Sequence, residues 1–194
     1  MSKNIARIVS ILLSPPIILL PAPFILVFKK THDLMTSLKW TGLSDVFLFA
    51  MITFVIFGTY KGFFSNFDVS IRTERPKLFL AGAIVGILYL STLILLNAPR
   101  VLTILVLGIL LGVIIIGILS RWFKTSIHTA TISSFSLSMV ILFGINYLPV
   151  FLLIPLVAWA RVKLKKHTPA EVLVGGFLGL TLTIIVYIAG KNFS

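Results

Sequence analysis

The chain has 194 residues, of which 58% are hydrophobic and only 11% are charged, and its mean hydropathy is +1.12. Soluble domains carry about 25% charged residues, so this composition excludes a soluble globular protein. It predicts an integral, multi-pass membrane protein, with the cell membrane as its expected location. The net charge of +12 is spread over the ends of apolar runs, so we expect membrane lipids or a phosphorylated substrate as partners and no nucleic acid.

Seven apolar runs between charged breaks predict one integral membrane domain, 1–194, with an all-α fold. We expect a polytopic transmembrane helix bundle with about six or seven spans. The runs cover residues 6–28, 45–64, 78–96, 101–119, 126–147, 148–162 and 169–189. Four prolines predict a kinked or partly re-entrant first span. A polar loop with His32, Asp33 and Lys39 should follow it, and the crossings between Thr129 and Ala160 should be short helices.

Three polar segments between these runs should lie at the same side of the membrane. Two spans separate residues 65–77 from residues 121–128, and two more separate those from residues 161–171. An even number of crossings returns the chain to the same side. The three segments together hold Arg72, Arg75, Ser126, His128, Arg161, His167 and Glu171.

These residue types suit the cleavage of a phosphate ester or diphosphate. Arginine pairs with two phosphate oxygens, and the candidate phosphate-binding residues are Arg75, Arg161, Ser126, Arg72 and Lys124. A neutral imidazole can attack phosphorus when a carboxylate holds its other nitrogen. The spacing of four residues between His167 and Glu171 allows that contact, which leaves His128 as the general acid.

The same residues can also be interpreted as having only structural roles, without any part in catalysis or binding. The sequence Thr168-Pro169-Ala170-Glu171 is typical of a helix start with a capping box, in which Glu171 serves only the helix. Basic residues at span ends, such as Lys163, often act as interfacial anchors. The glycines at positions 175, 176 and 179 suit close helix packing better than binding.

The motifs resemble those of the type 2 phosphatidic acid phosphatase superfamily. Arg161, His167 and Glu171 have the spacing of its third signature, Ser-Arg-x5-His-x3-Asp. The stretch Thr125-Ser126-Ile127-His128 is similar to the second, Pro-Ser-Gly-His, and Arg75-Pro76 to the end of the first, Lys-x6-Arg-Pro. The resemblance extends over residues 65–179, which it identifies as the catalytic core.

The resemblance implies a role for each matching residue. His167 would form a phosphohistidine, Glu171 would orient it, His128 would be the acid, and Arg75, Arg161 and Ser126 would bind phosphate. The chain departs from the signatures at four positions, which are Asp68 for lysine, Ile127 for glycine, Ala160 for serine and Glu171 for aspartate.

The resemblance also implies an enzyme class. We expect a metal-independent lipid phosphatase without a cofactor, acting on a lipid phosphate monoester or diphosphate of the polyprenyl or phosphatidate type. A lipid phosphotransferase and a non-enzymatic phospholipid-binding or transport protein remain alternatives. The lipid tail and the oligomeric state stay open.

Overall fold

The computed structural model describes residues 2–191, and within that range all regular structure is helical, as predicted. The α-helices are α1 (Lys3–Leu12), α2 (Pro15–Leu19), α3 (Ala22–Thr31), α4 (Leu34–Tyr60), α5 (Arg75–Leu95), α6 (Arg100–Leu119), α7 (Ile127–Phe143), α8 (Leu153–Lys163) and α9 (Pro169–Lys191). Shorter 3-10 segments occupy Arg72–Glu74 and Ile145–Leu152.

Most of these helices suit a membrane environment. Within the described range, five helical segments are long and apolar enough to cross a membrane, and they are α4, α5, α6, α9 and the continuous segment Ile145–Lys163 that ends with α8. The number is six if Lys3–Leu19 and Ala22–Thr31, which are bent by 47°, form one span. The predicted break in the first span is confirmed, because helix ends at Leu12 and Leu19 interrupt the proline-rich run. The expected short helix is also present, since α7 has 17 residues and rises only about 25 Å at 1.5 Å per residue.

The chain folds into two compact units. Residues 2–18 and 122–191 form one, here called the terminal unit, and residues 19–121 form the other, the central unit. The predicted catalytic core, 65–179, therefore takes its residues from both units. The candidate residues Lys124, Ser126, His128, Arg161, His167 and Glu171 belong to the terminal unit, whereas Arg72 and Arg75 belong to the central unit.

The start of the second span differs from the prediction. The helix begins at Leu34 rather than near position 45, and Lys39 lies on it instead of in a loop. Asp33 caps the helix by accepting a hydrogen bond from the backbone N–H of Thr36 at 2.8 Å, and hydrogen bonds from Thr36 lower the pKa of the Asp33 carboxyl. Hydroxyls in the first three turns donate to carbonyls four residues earlier. The polar side chains are thereby satisfied inside the helix, so they do not end it.

The central unit encloses a polar contact within its apolar core. Tyr89 of α5 donates a short hydrogen bond to the hydroxyl of Ser44 on α4, and the ring of Tyr89 stacks on Phe47 at 4.7 Å between centroids. Next to Ser44, the Oδ1 atom of Asp45 is buried and has no hydrogen-bond partner among the described residues. Since Asp45 lies within an apolar span, this carboxyl group opposes folding.

We expect Asp45→Asn to raise the apparent melting temperature in detergent by about 5–14 °C. A charged side chain at the centre of a span costs about 2.5–3.5 kcal/mol, and 1 kcal/mol shifts the melting temperature of a chain of this size by about 2–4 °C. The substitution keeps the shape of the side chain and removes the charge.

The matched control is Asp33→Asn, which makes the same change in charge at an exposed helix cap. Asparagine caps a helix as well as aspartate does, so this variant should melt near the wild-type temperature. An unchanged or lower melting temperature for Asp45→Asn would contradict the destabilising role of Asp45.

Candidate active site

The terminal unit is organised by the close packing of α7 against α9. A Cβ atom added at Gly175 would lie 2.5 Å from the carbonyl oxygen of Ser126, and one added at Gly179 would lie 2.9 Å from the carbonyl carbon of Ala130. Glycine is therefore required at both positions, because the two backbones touch. The matching order of these contacts along both helices shows that the helices are parallel and begin at the same end. The predicted packing role is confirmed for Gly175 and Gly179, whereas a Cβ atom at Gly176 would make only an ordinary contact, 3.5 Å from the hydroxyl of Ser133.

Two hydrogen bonds connect the segment before α7 with the first turn of α9 and with the loop that precedes it. The backbone N–H of Ser126 donates to the carbonyl oxygen of Glu171 at 3.2 Å. The Nζ atom of Lys124 donates to the carbonyl oxygen of Lys166 at 2.6 Å. The second and third motifs therefore lie side by side in the terminal unit.

The third motif combines the predicted imidazole–carboxylate pair with the predicted capping box. The Nδ1 atom of His167 lies 2.8 Å from Oε2 of Glu171. The same oxygen accepts the backbone N–H of Thr168 at 3.2 Å, and the hydroxyl of Thr168 accepts the N–H of Glu171 at 3.3 Å. The capping box thus fixes the carboxylate that holds the imidazole, so the structural and functional interpretations of Glu171 are compatible.

This contact determines the tautomer of the His167 ring. An ionised carboxylate can only accept a hydrogen bond, so the neutral imidazole donates from Nδ1 and keeps its lone pair on Nε2. The His167 side chain is only 1% exposed, while that of Glu171 is 15% exposed. The ring is therefore held in one orientation by its surroundings.

Arg161 is held by a residue that the sequence analysis missed. Its guanidinium donates from Nη1 to the hydroxyl of Ser10 at 2.7 Å, and both residues are buried. Ser10 lies on α1, and α1 packs against α8, which carries Arg161. A separation of 151 residues gives no local pattern that could reveal this contact.

The second motif forms the start of α7. Ser126 is its N-cap residue, and its hydroxyl accepts the backbone N–H of Thr129 at 3.4 Å. His128 lies in the first turn of the helix and is 7% exposed. Thr125 and Thr129 are fully buried beside them and extend this polar cluster beyond the predicted residues. The hydroxyl of Ser126 can still donate through its hydrogen atom while it caps the helix.

The two arginines of the central unit occupy a folded loop. Arg75 begins α5, is 2% exposed, and donates from Nε to the carbonyl oxygen of Val69 at 3.4 Å. Arg72 is exposed in the 3-10 turn just before it. Glu74 accepts hydrogen bonds from the backbone and the hydroxyl of Ser65, which fold the loop back on itself. The described contacts thus connect Ser126 and His167 with Glu171, and Lys124 with the loop before α9. The contact of Arg75 with Val69 lies within the central unit.

Acidic and histidine side chains are sparse throughout the chain. Among residues 2–191, no group of three or more His, Asp or Glu side chains is placed to hold a metal ion.

Comparisons with family models, with curated proteins and with solved structures give no match. The resemblance to the phosphatase superfamily therefore depends on the motif residues and their geometry.

We expect Ser10→Ala to lower the free energy of unfolding by about 1–3 kcal/mol. The substitution removes the acceptor for a buried guanidinium N–H group, and a buried donor left without a partner costs about that much. Chemical denaturation in mixed micelles measures the change. Ser10→Thr should restore most of the stability, because the hydroxyl is kept.

The matched control is Ser14→Ala, the same substitution one turn further along the chain, which should leave the stability within about 0.5 kcal/mol of wild type. Equal destabilisation by the two alanine variants would contradict a specific role for the contact with Arg161.

Proposed function

We propose that the protein is a metal-independent lipid phosphatase of the cell membrane and a divergent member of the type 2 phosphatidic acid phosphatase superfamily. Its substrate is a lipid phosphate monoester or diphosphate of the polyprenyl or phosphatidate type. The observation that carries the proposal is the 2.8 Å contact between Nδ1 of His167 and Oε2 of Glu171. This pair leaves Nε2 of His167 as the nucleophile.

In the first step, Nε2 of His167 attacks phosphorus, so a P–N bond forms as the P–O bond to the lipid breaks. His128 donates a proton to the departing oxygen, which leaves as a lipid alcohol or, from a diphosphate, as a lipid monophosphate. The product on the enzyme is a phosphohistidine at His167. Glu171 stabilises the positive charge that develops on the imidazole as it attacks.

In the second step, water attacks the phosphohistidine and the P–N bond breaks. His128 accepts a proton from that water, and inorganic phosphate leaves. Both steps place negative charge on the equatorial phosphoryl oxygens, which donors must stabilise. Arg161, Ser126 and Lys124, all of the terminal unit, are the proposed donors.

Two features of the helix ends support an anionic substrate. Each helix start carries about half a positive charge from its aligned peptide dipoles, and α7 and α9 begin next to each other. Backbone N–H groups at helix starts are common phosphate-binding groups. His128 and His167 belong to these two starts, so the anion would meet both histidines there.

Purified protein should release phosphate from one or more members of a panel containing a polyprenyl phosphate, a polyprenyl diphosphate and phosphatidate. We expect His167→Ala to lower kcat by at least about 10³-fold, because no other group replaces the nucleophile. His128→Ala should lower it by about 10²–10⁴-fold for a monoester, and by less for a diphosphate, whose leaving group needs less protonation. Activity should persist in EDTA, and vanadate should inhibit.

The third histidine of the chain provides the control. His32 follows α3 in the central unit, and His32→Ala should retain wild-type activity. Full activity of His167→Ala would reject the phosphohistidine mechanism. Phosphate transfer to an added alcohol in preference to water would favour the phosphotransferase. Tight binding of lipid phosphate without any turnover would favour the non-enzymatic alternative.

Glu171→Gln separates the two tasks of Glu171. Glutamine at this position still completes a capping box, so the protein should melt within a few degrees of wild type. It carries no charge to stabilise the imidazole, and the loss of a charged hydrogen bond of about 1.5–3 kcal/mol predicts a kcat about 10- to 100-fold lower. The decrease should be smaller than that for His167→Ala. A variant with wild-type kcat would reduce Glu171 to a helix cap.

A further inference from the structure

A groove on the terminal unit runs between α8 and the first turns of α9. Its volume is about 390 Å³, near the lower end of the range for small-molecule sites. The lining side chains are Ala158, Trp159, Val162, Lys163, Pro169, Val172 and Leu173. All of them except Lys163 are apolar or present mainly apolar surface, so the groove suits hydrocarbon rather than a polar ligand.

One end of the groove lies at the third motif. Lys163 and Pro169 precede and follow the loop that carries His167, so they border the groove where that loop begins and ends. Ala158 is five residues before Lys163 on α8, and Leu173 is four residues after Pro169 on α9. At 1.5 Å per residue, the groove extends roughly 6–8 Å from the loop along both helices.

The distribution of charge gives the groove a direction. Lys163 is its one charged lining residue, is exposed, and ends α8 where the loop that carries His167 begins. Trp159 and Leu173, which lie further along the helices, line the apolar part. An amphiphile with an anionic head would therefore place its head toward the loop that carries His167 and the first part of its chain between α8 and α9.

We propose that this groove binds the head-proximal part of one hydrocarbon chain of the lipid phosphate substrate. The inference rests on the proposed function, since it assigns the substrate head to His167. The groove holds the chain in a fixed position relative to the nucleophile. A chain that lies free in the bilayer has no such fixed position. Binding of this kind increases kcat/KM for long-chain substrates without taking part in bond breaking.

The first test compares a long-chain alkyl phosphate with butyl phosphate, which is too short to occupy the groove. Leu173→Trp fills the groove from α9, and Ala158→Leu fills it from α8. We expect both variants to lower kcat/KM for the long-chain substrate about tenfold and to leave that for butyl phosphate within about twofold. Because the two variants fill the groove from opposite walls, the test still applies if one of them fails to fold.

Val174→Trp is the matched control. Val174 is adjacent to Leu173 and partly exposed, at 37%, but it does not line the groove. Val174→Trp should leave kcat/KM for both substrates unchanged. The proposal is overturned if Leu173→Trp lowers kcat/KM equally for both substrates, if it lowers kcat/KM for neither, or if Val174→Trp has the same effect as Leu173→Trp. A change from dimer to monomer in Leu173→Trp with an unchanged substrate ratio would assign the groove to a second copy of the chain, and would also overturn it.

A second measurement does not depend on turnover. A long-chain alkyl phosphate with a photoreactive diazirine near its head should label peptides containing residues 158–163 and 169–173, and Leu173→Trp should lose most of this labelling. Labelling of the groove in a protein without phosphatase activity would reject the proposed function and keep the chain site. Activity with labelling confined to other helices would reject the chain site and keep the proposed function.

Discussion

The backbone contact between α7 and α9 is the constraint on which the candidate site depends. Gly175 and Gly179 let α9 approach Ser126 and Ala130 so closely that any side chain at either position would overlap a backbone. Apolar burial does not drive helix association in a membrane. Close packing drives it instead, and small residues such as these glycines allow the helices to pack closely. The contact brings two parallel helix starts together. Without it, the Ser126 segment would not meet Glu171, and the second and third motifs would be separate helix ends.

The paired helix starts also explain how few charged groups the site needs. Glu171 caps α9 and holds His167 with the same oxygen, so one carboxylate fixes both a helix and an imidazole. Lys124 ties the segment before α7 to the loop before α9. Arg161 is held by Ser10. This order suits the proposed mechanism, in which phosphorus lies between a nucleophile and an acid.

The sequence alone predicted those features of the fold that local patterns encode. Apolar runs located the spans, prolines predicted the broken first span, and the Thr168–Glu171 stretch predicted the start of α9. It missed the first three turns of α4, because a run of polar residues such as Ser37 and Thr41 suggests a loop until their bonds to the preceding helical turn are known. The contact of Ser10 with Arg161 could not be predicted from the sequence for another reason, since only tertiary packing brings these two positions together.

The central claim is that His167 carries the phosphoryl group during turnover. It is tested most directly by rapid alkaline quenching of the purified protein with a lipid phosphate labelled at phosphorus, followed by mapping of the acid-labile phosphoryl group among the three histidines. The account predicts label on His167, none on His32, and loss of the label in His167→Ala. Turnover without any labelled histidine, or label that maps to His128, would contradict it.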